Sequence, residues 1–221
     1  MELEISIFPK HFYVFGVNVG LSVVIAWGVI AFLLVLLVLL HFSIRKFTEV
    51  PHGIQNLLEL IVDGIHHFAE TKVGHAADFV APVTLTLMLY VFATTFVELF
   101  GLPPATEDLN CTIALGLSSF IMVNITALKF KGIKGRVKSL CTPVAVVAPI
   151  RILTDCIAPV SMGIRLFANV LVGGVIMQLI YAVIPIIAPA ALASYFNVLH
   201  VAIQTFVFGL LSLTYIGEAV E

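Results

Sequence analysis

The chain has 221 residues, 61% of them hydrophobic and only 11% charged, which excludes a water-soluble globule and makes the bilayer its solvent. A formal net charge of -2 without any long basic or acidic run excludes nucleic acid as a partner, because phosphate backbones are met by clustered Lys and Arg. Cys111, Cys141 and Cys156 are odd in number and lack CxxC spacing, so they read as small apolar side chains, and no metal or other cofactor is expected.

The N-terminus has no basic n-region, and its apolar run is longer than a signal-peptide core, so this segment is expected to be retained as a spanning helix. Phe12 to Ile44 contains no Asp, Glu, Lys or Arg, and a first span is expected over about 18–42. Arg45 and Lys46 follow at once, whereas Lys10 is the only cation before it, which puts the N-terminus outside and residue 46 in the cytoplasm. Ile54, Leu57, Leu58, Ile61, Val62, Ile65, Phe68 and Ala69 then recur at helical spacing, opposite Glu59, Asp63, His66, His67 and Glu70. This predicts an amphipathic helix over 54–72 lying along the membrane surface, its acidic and His-rich side a solvated face and not a metal site.

Two uncharged runs flank the turn-rich stretch from Gly101 to Asp108 and predict a helical hairpin, with spans over 79–100 and 109–128 and its tip outside. The hairpin returns to Lys129, Lys131, Lys134, Arg136 and Lys138, a second cytoplasmic marker. Residues 166–217 carry no charge at all, and as one helix they would reach about 78 Å, so the chain must turn back. Pro185 and Pro189 supply the break, giving two long helices over 140–183 and 190–217. The expected fold is an all-α integral membrane protein, a single membrane domain over 1–221 with five transmembrane helices and one surface helix. The last two spans are long enough to run tilted, and the C-terminus is cytoplasmic.

Arg165 lies far from any hydrophilic flank. An arginine near the bilayer centre costs about 2.5–3.5 kcal/mol on insertion scales, and guanidinium cannot shed its proton to escape that. It reads as a fixed positive charge on an ion path, against the plainer reading of a packing or snorkelling Arg. Ser161, Arg165, Asn169 and Gly173 fall at steps of four and share a face, while Arg151 has its own i,i+4 partner in Asp155. On the last helix Asn197, His200 and Gln204 form another polar face, for which interhelical hydrogen bonding is the plain alternative. There is no P-loop, hence no phosphate-cradling nucleotide site. The competing reading, an independent multi-pass channel or secondary transporter, calls for inverted repeats, and the sequence contains none.

The segment from Pro159 to Gly174, PVSMGIRLFANVLVGG, resembles the signature of the ATP synthase subunit a family. Further stretches agree in order: Gly53 to Glu59, Pro104 to Thr112, Lys129 to Gly132, and the closing helix QTFVFGLLSLTY from Gln204 to Tyr215. The resemblance implies a non-catalytic, ion-translocating stator subunit in a bacterial plasma membrane. Its two long tilted helices would pack against a rotating ring of c subunits, with peripheral-stalk b subunits as further partners within the synthase complex. It gives Arg165 the place of the family's essential arginine and Gln204 that of the glutamine facing it, between two offset half-channels. Many members carry Glu at the position of Gly174 and His at that of Asn197. Here His200 and Glu98 are the candidates to line the outer half-channel instead. Arg151 likewise stands where many members have Glu, with Asp155 supplying an acid one turn on. These departures leave both H+ and Na+ open as the coupling ion.

Overall fold

The computed structural model describes residues 11–14, 17–44, 53–100, 104–141, 148–183 and 188–220; within these, the side chains of 11–14, 17–19, 43–44, 54, 99–100, 134, 136–141, 148–152, 155–156, 176–183 and 188–197 lie outside the description. The cytoplasmic loop expected after residue 44 and the Pro185 turn also fall outside the described residues. Six helices account for nearly all the rest: α1 (Leu21–Ile44), α2 (Ile54–Val73), α3 (Ala77–Phe96), α4 (Leu109–Cys141), α5 (Ala148–Val183) and α6 (Ala188–Val220). Short 3-10 turns cover Gly74–Ala76, Val97–Phe100 and Ala105–Glu107. Among the described residues, five stretches are long and apolar enough to cross a membrane, making this an all-α membrane protein.

The expected first span begins later than predicted. Residues 11–20 form an antiparallel hairpin of β1 (His11–Val14) and β2 (Val17–Gly20), with Val14 opposite Val17. Aromatic and β-branched residues favour extended backbone, and only residues 18–20 of this hairpin overlap the expected 18–42 span. Helix α1 then starts at Leu21 and buries one narrow stripe, Ser22, Ala26 and Val29, against α3 and the 105–107 turn. Trp27, Phe32, Leu37 and Leu39 stay exposed, as befits side chains whose solvent is lipid.

Helix α2 ends at Gly74, whose φ of 56° suits a residue without Cβ, and the chain enters α3 through a single turn. Helix α4 runs on past the predicted 128 to Cys141, with its helical dihedrals interrupted at Gly132 (φ 68°, ψ 171°). Helix α5 includes Pro159, whose ring removes the donor for the carbonyl of residue 155, and α6 holds Pro189 in its first turn, where a missing N–H leaves no bond unmade. Pro189 therefore belongs to the start of α6 and not to the break.

In lipid the helices gain little from burying apolar area, so they associate through close packing and interhelical hydrogen bonds. One apolar cluster joins α2, α3, α4 and α6 through Ala69, Val80, Ala127, Leu213 and Ile216. A second joins α3, α4, α5 and α6 through Val91, Leu115, Met162, Leu166 and Phe208. Glycines let backbones meet: a Cβ on Gly163 would stand 2.9 Å from the Thr112 carbonyl oxygen, and one on Gly116 would press on the Pro159 carbonyl. Likewise Gly209 receives Met88, and Gly217 the carbonyl of Lys72. Ser119 and Ser212 hydrogen-bond across α4 and α6 at 2.8 Å, and the Lys129 ammonium lies 3.5 Å from the centre of the Phe79 ring.

Candidate functional site: an arginine beside a carboxamide pair

Helix α5 has two faces. Met162, Leu166 and Val170 are buried at spacings of four, pointing into the bundle, while Ser161, Arg165 and Asn169 share the adjoining, exposed face. The step between Leu166 and Arg165 is about 100° around the helix, so burying one turns the other outward. Leu166 packs in the cluster that contains Val91 and Leu115, which sets the height of Arg165 in the bundle against the C-terminal half of α3.

Helix α6 crosses α5 antiparallel here. Asn169 Nδ2 donates to Gln204 Oε1 at 2.6 Å, and Arg165, Met162, Leu166, Gln204, Val207 and Phe208 line one small pocket. Gln204 is only 3% exposed, so its carboxamide satisfies itself within the protein by accepting from Asn169. Two carboxamides offer donors and acceptors but no charge, so they border the guanidinium without neutralising it. Among the described residues the ion pairs are His66 with Asp78 (2.9 Å) and His67 with Glu70 (3.8 Å), and neither touches Arg165. Among the described residues, the arrangement presents a cation without an ion-pair partner on an open face of an apolar bundle.

The remaining predicted residues lie apart from this pair. His200 is one turn from Gln204 on α6, and its Nε2 is buried with no hydrogen-bond partner among the described residues. Asn197 follows in the same helix, and Arg151 and Asp155 lie in α5, with side chains outside the description. Glu98 is half-buried in the Val97–Phe100 turn, which packs against α6. Burial, and second the charge of Glu107, hold its carboxyl above the ordinary 4.5; burial raises Glu107 as well.

Sequence reasoning passed over Glu107 and Thr106, which read as parts of a loop. Thr106 is 1% exposed and its Oγ1 lacks a partner among the described residues. Three acids within eleven residues of a turn, Glu98, Glu107 and Asp108, were the available signal. In the second hairpin helix, Ser118, Asn124 and Thr126 bond back to carbonyls of their own helix, and Ser119 bonds to Ser212. The acidic and His-rich face of α2 is split between Gln55 with Glu59, His66 with Asp78, and His67 with Glu70.

Residues 23–217 match the family described as ATP synthase A chain. A protein of Moorella thermoacetica named ATP synthase subunit a is 27% identical over 190 residues, covering 86% of this chain and 87% of that protein. One of Mycobacterium marinum with the same name is 29% identical over 223 residues, 93% of this chain and 89% of its own length. A third, ATP synthase subunit a 1 of Syntrophotalea carbinolica, is 30% identical over 182 residues, covering 80% and 77%.

Proposed function

This chain belongs to the ATP synthase A chain family, and from that premise we propose that it is the ion-translocating stator subunit of a rotary ATP synthase, coupling ion flow to rotation through Arg165. Its partners are a ring of c subunits, each bearing an ion-binding carboxylate, and the b subunits of the peripheral stalk. It sits in a bacterial plasma membrane with the N-terminus outside and the C-terminus in the cytoplasm.

The observation that carries this reading is the unneutralised guanidinium of Arg165, exposed on α5 beside the Asn169–Gln204 pair. A carboxylate about 4 Å from such a cation gains about 4 kcal/mol at an effective dielectric near 20. That corresponds to about three pKa units, enough to make a passing c-subunit carboxyl give up its ion. The same charge repels a cation attempting to cross directly between the two half-channels. Because the neighbouring groups are neutral amides, Arg165 attracts each carboxylate without being held by an acid of its own helix.

The test is Arg165→Ala in the reconstituted complex. Coupled ATP synthesis and ion-driven rotation are expected to vanish while assembly persists. Survival of both would overturn the proposal.

A further inference from the structure

Lys129, Lys131, Lys134, Arg136 and Lys138 crowd the last part of α4. No Asp or Glu occurs from residue 109 to 154, so neither α4 nor the loop after it supplies a counter-charge. The ion pairs among the described residues, His66 with Asp78 and His67 with Glu70, involve none of these cations.

The membrane level of the cluster follows from the helix that carries it. From Leu109 to Leu128 the helix rises about 30 Å, the thickness of the hydrocarbon core, so Lys129 emerges at the headgroup layer. There its ammonium is seated 3.5 Å from the centre of the Phe79 ring. Phe130 and Ile133 stay exposed, Ile133 at 74%. At Gly132 the dihedrals leave the helical region (φ 68°, ψ 171°), and the helix of 133–141 follows across that kink. At about 100° per residue, positions 133, 137, 140 and 141 of this short helix, which are Ile, Val, Leu and Cys, fall in one narrow sector. Positions 134 and 138, both Lys, border the sector on one side, and Arg136 borders it on the other. Such a pattern suits a helix lying in the interface, apolar stripe toward the acyl chains and cations at the level of the phosphates.

We propose that residues 129–138 form a binding site for anionic phospholipid, the basic residues holding the phosphates while the acyl chains run along the apolar stripe that begins at Phe130 and Ile133. An acidic protein segment would be drawn by the same charges, but it has no use for an apolar stripe set between them where a span leaves the hydrocarbon. The site requires only that α4 cross the bilayer and is independent of the stator function: Gly163 meets Thr112 near the opposite end of α4, and Arg165 is seated there.

The test places the purified full chain in phosphatidylcholine vesicles with a trace of spin-labelled phosphatidylglycerol or spin-labelled phosphatidylcholine, and reads the motionally restricted fraction of each. The wild type is expected to prefer phosphatidylglycerol by roughly five-fold or more at about 0.01 M salt, and to lose most of that preference at about 1 M. Exchanging Lys131, Lys134, Arg136 and Lys138 together for Gln should lower the preference by roughly five-fold or more, with folding checked by circular dichroism. Exchanging Lys131, Lys134 and Lys138 for Arg should keep it. Equal restriction of the two labels by the wild type, a preference that survives the Gln exchanges or high salt, or its loss on the Arg exchanges overturns the site. So does displacement of the labelled lipid by inorganic phosphate, which marks a free-anion site. The same comparison in the complete synthase closes the test: a difference between wild type and Gln variant that persists there supports the lipid site, and one seen only in the isolated chain gives the patch to an acidic surface of another subunit.

Discussion

A single methyl group at Gly163 tests how α5 is held. Its Cβ would lie 2.9 Å from the Thr112 carbonyl oxygen, 3.1 Å from Ile113 Cα and 3.2 Å from Ile113 N, where ordinary contact begins at 3.4 Å. All three are backbone atoms in the middle of a helix turn, so α4 and α5 must separate by about 0.5 Å to relieve them, and overpacking of this kind costs about 1–3 kcal/mol. Gly174→Ala is the matched control, since nothing lies within 4 Å of its Cβ. There the exchange should stabilise α5 by about 0.5–1 kcal/mol through helix propensity alone. The two variants should therefore differ by about 2 kcal/mol, or about 4–8 °C in melting temperature at 2–4 °C per kcal/mol. Thermal unfolding in detergent followed by circular dichroism measures this directly. A Gly163→Ala protein as stable as Gly174→Ala would show that the α4–α5 contact is not the close backbone approach described.

Three further outcomes follow from the same structure. Gln204→Glu sets a carboxylate in the pocket beside Arg165 and should lower ATP-driven ion pumping by roughly ten-fold more than Gln204→Leu, which loses only the Asn169 hydrogen bond; equal effects would mean that the guanidinium does not respond to charge there. In a double-mutant cycle on unfolding, Ser119→Ala and Ser212→Ala should couple by about 0.6–1.7 kcal/mol, whereas strict additivity would remove the interhelical bond from the description. Because the Glu98 carboxyl is held above its ordinary 4.5 in the fold, the folded protein binds that proton more tightly than the unfolded chain does. Its contribution is present in full below pH 4.5 and is lost as pH rises through the raised value. Glu98→Gln should therefore flatten the fall in melting temperature above pH 4.5, and an unchanged profile would contradict the assignment.

Helix α2 was legible because its apolar residues recur every three to four positions: the pattern over 54–72 meets a helix from 54 to 73. The hairpin of residues 11–20 was not, since a short apolar run without charge has the same composition whether it begins a span or pairs as strands. The expected span ended at 128, yet the helix runs on, and after one residue at positive φ, Gly132, helical structure resumes. At the site, the four-residue spacing of Ser161, Arg165 and Asn169 put them on one face from sequence alone. The bond from Asn169 to Gln204 depends on how α5 and α6 slide past one another, and a separation of 35 residues through a turn carries no such information.

The glycine notches between α4 and α5 have a mechanical meaning. Where side chains mediate a helix contact, rotamers can shift and absorb a push; where main chain rests on main chain, at Gly116 on Pro159 and Gly163 on Thr112, nothing soft lies between. Both notches sit within six residues of Arg165 along α5 on the side away from its charge. A rotor dragging on that charge would thus load a stiff, doubly seated rod, and the thrust would pass into α4 instead of being lost in the yielding of a side chain.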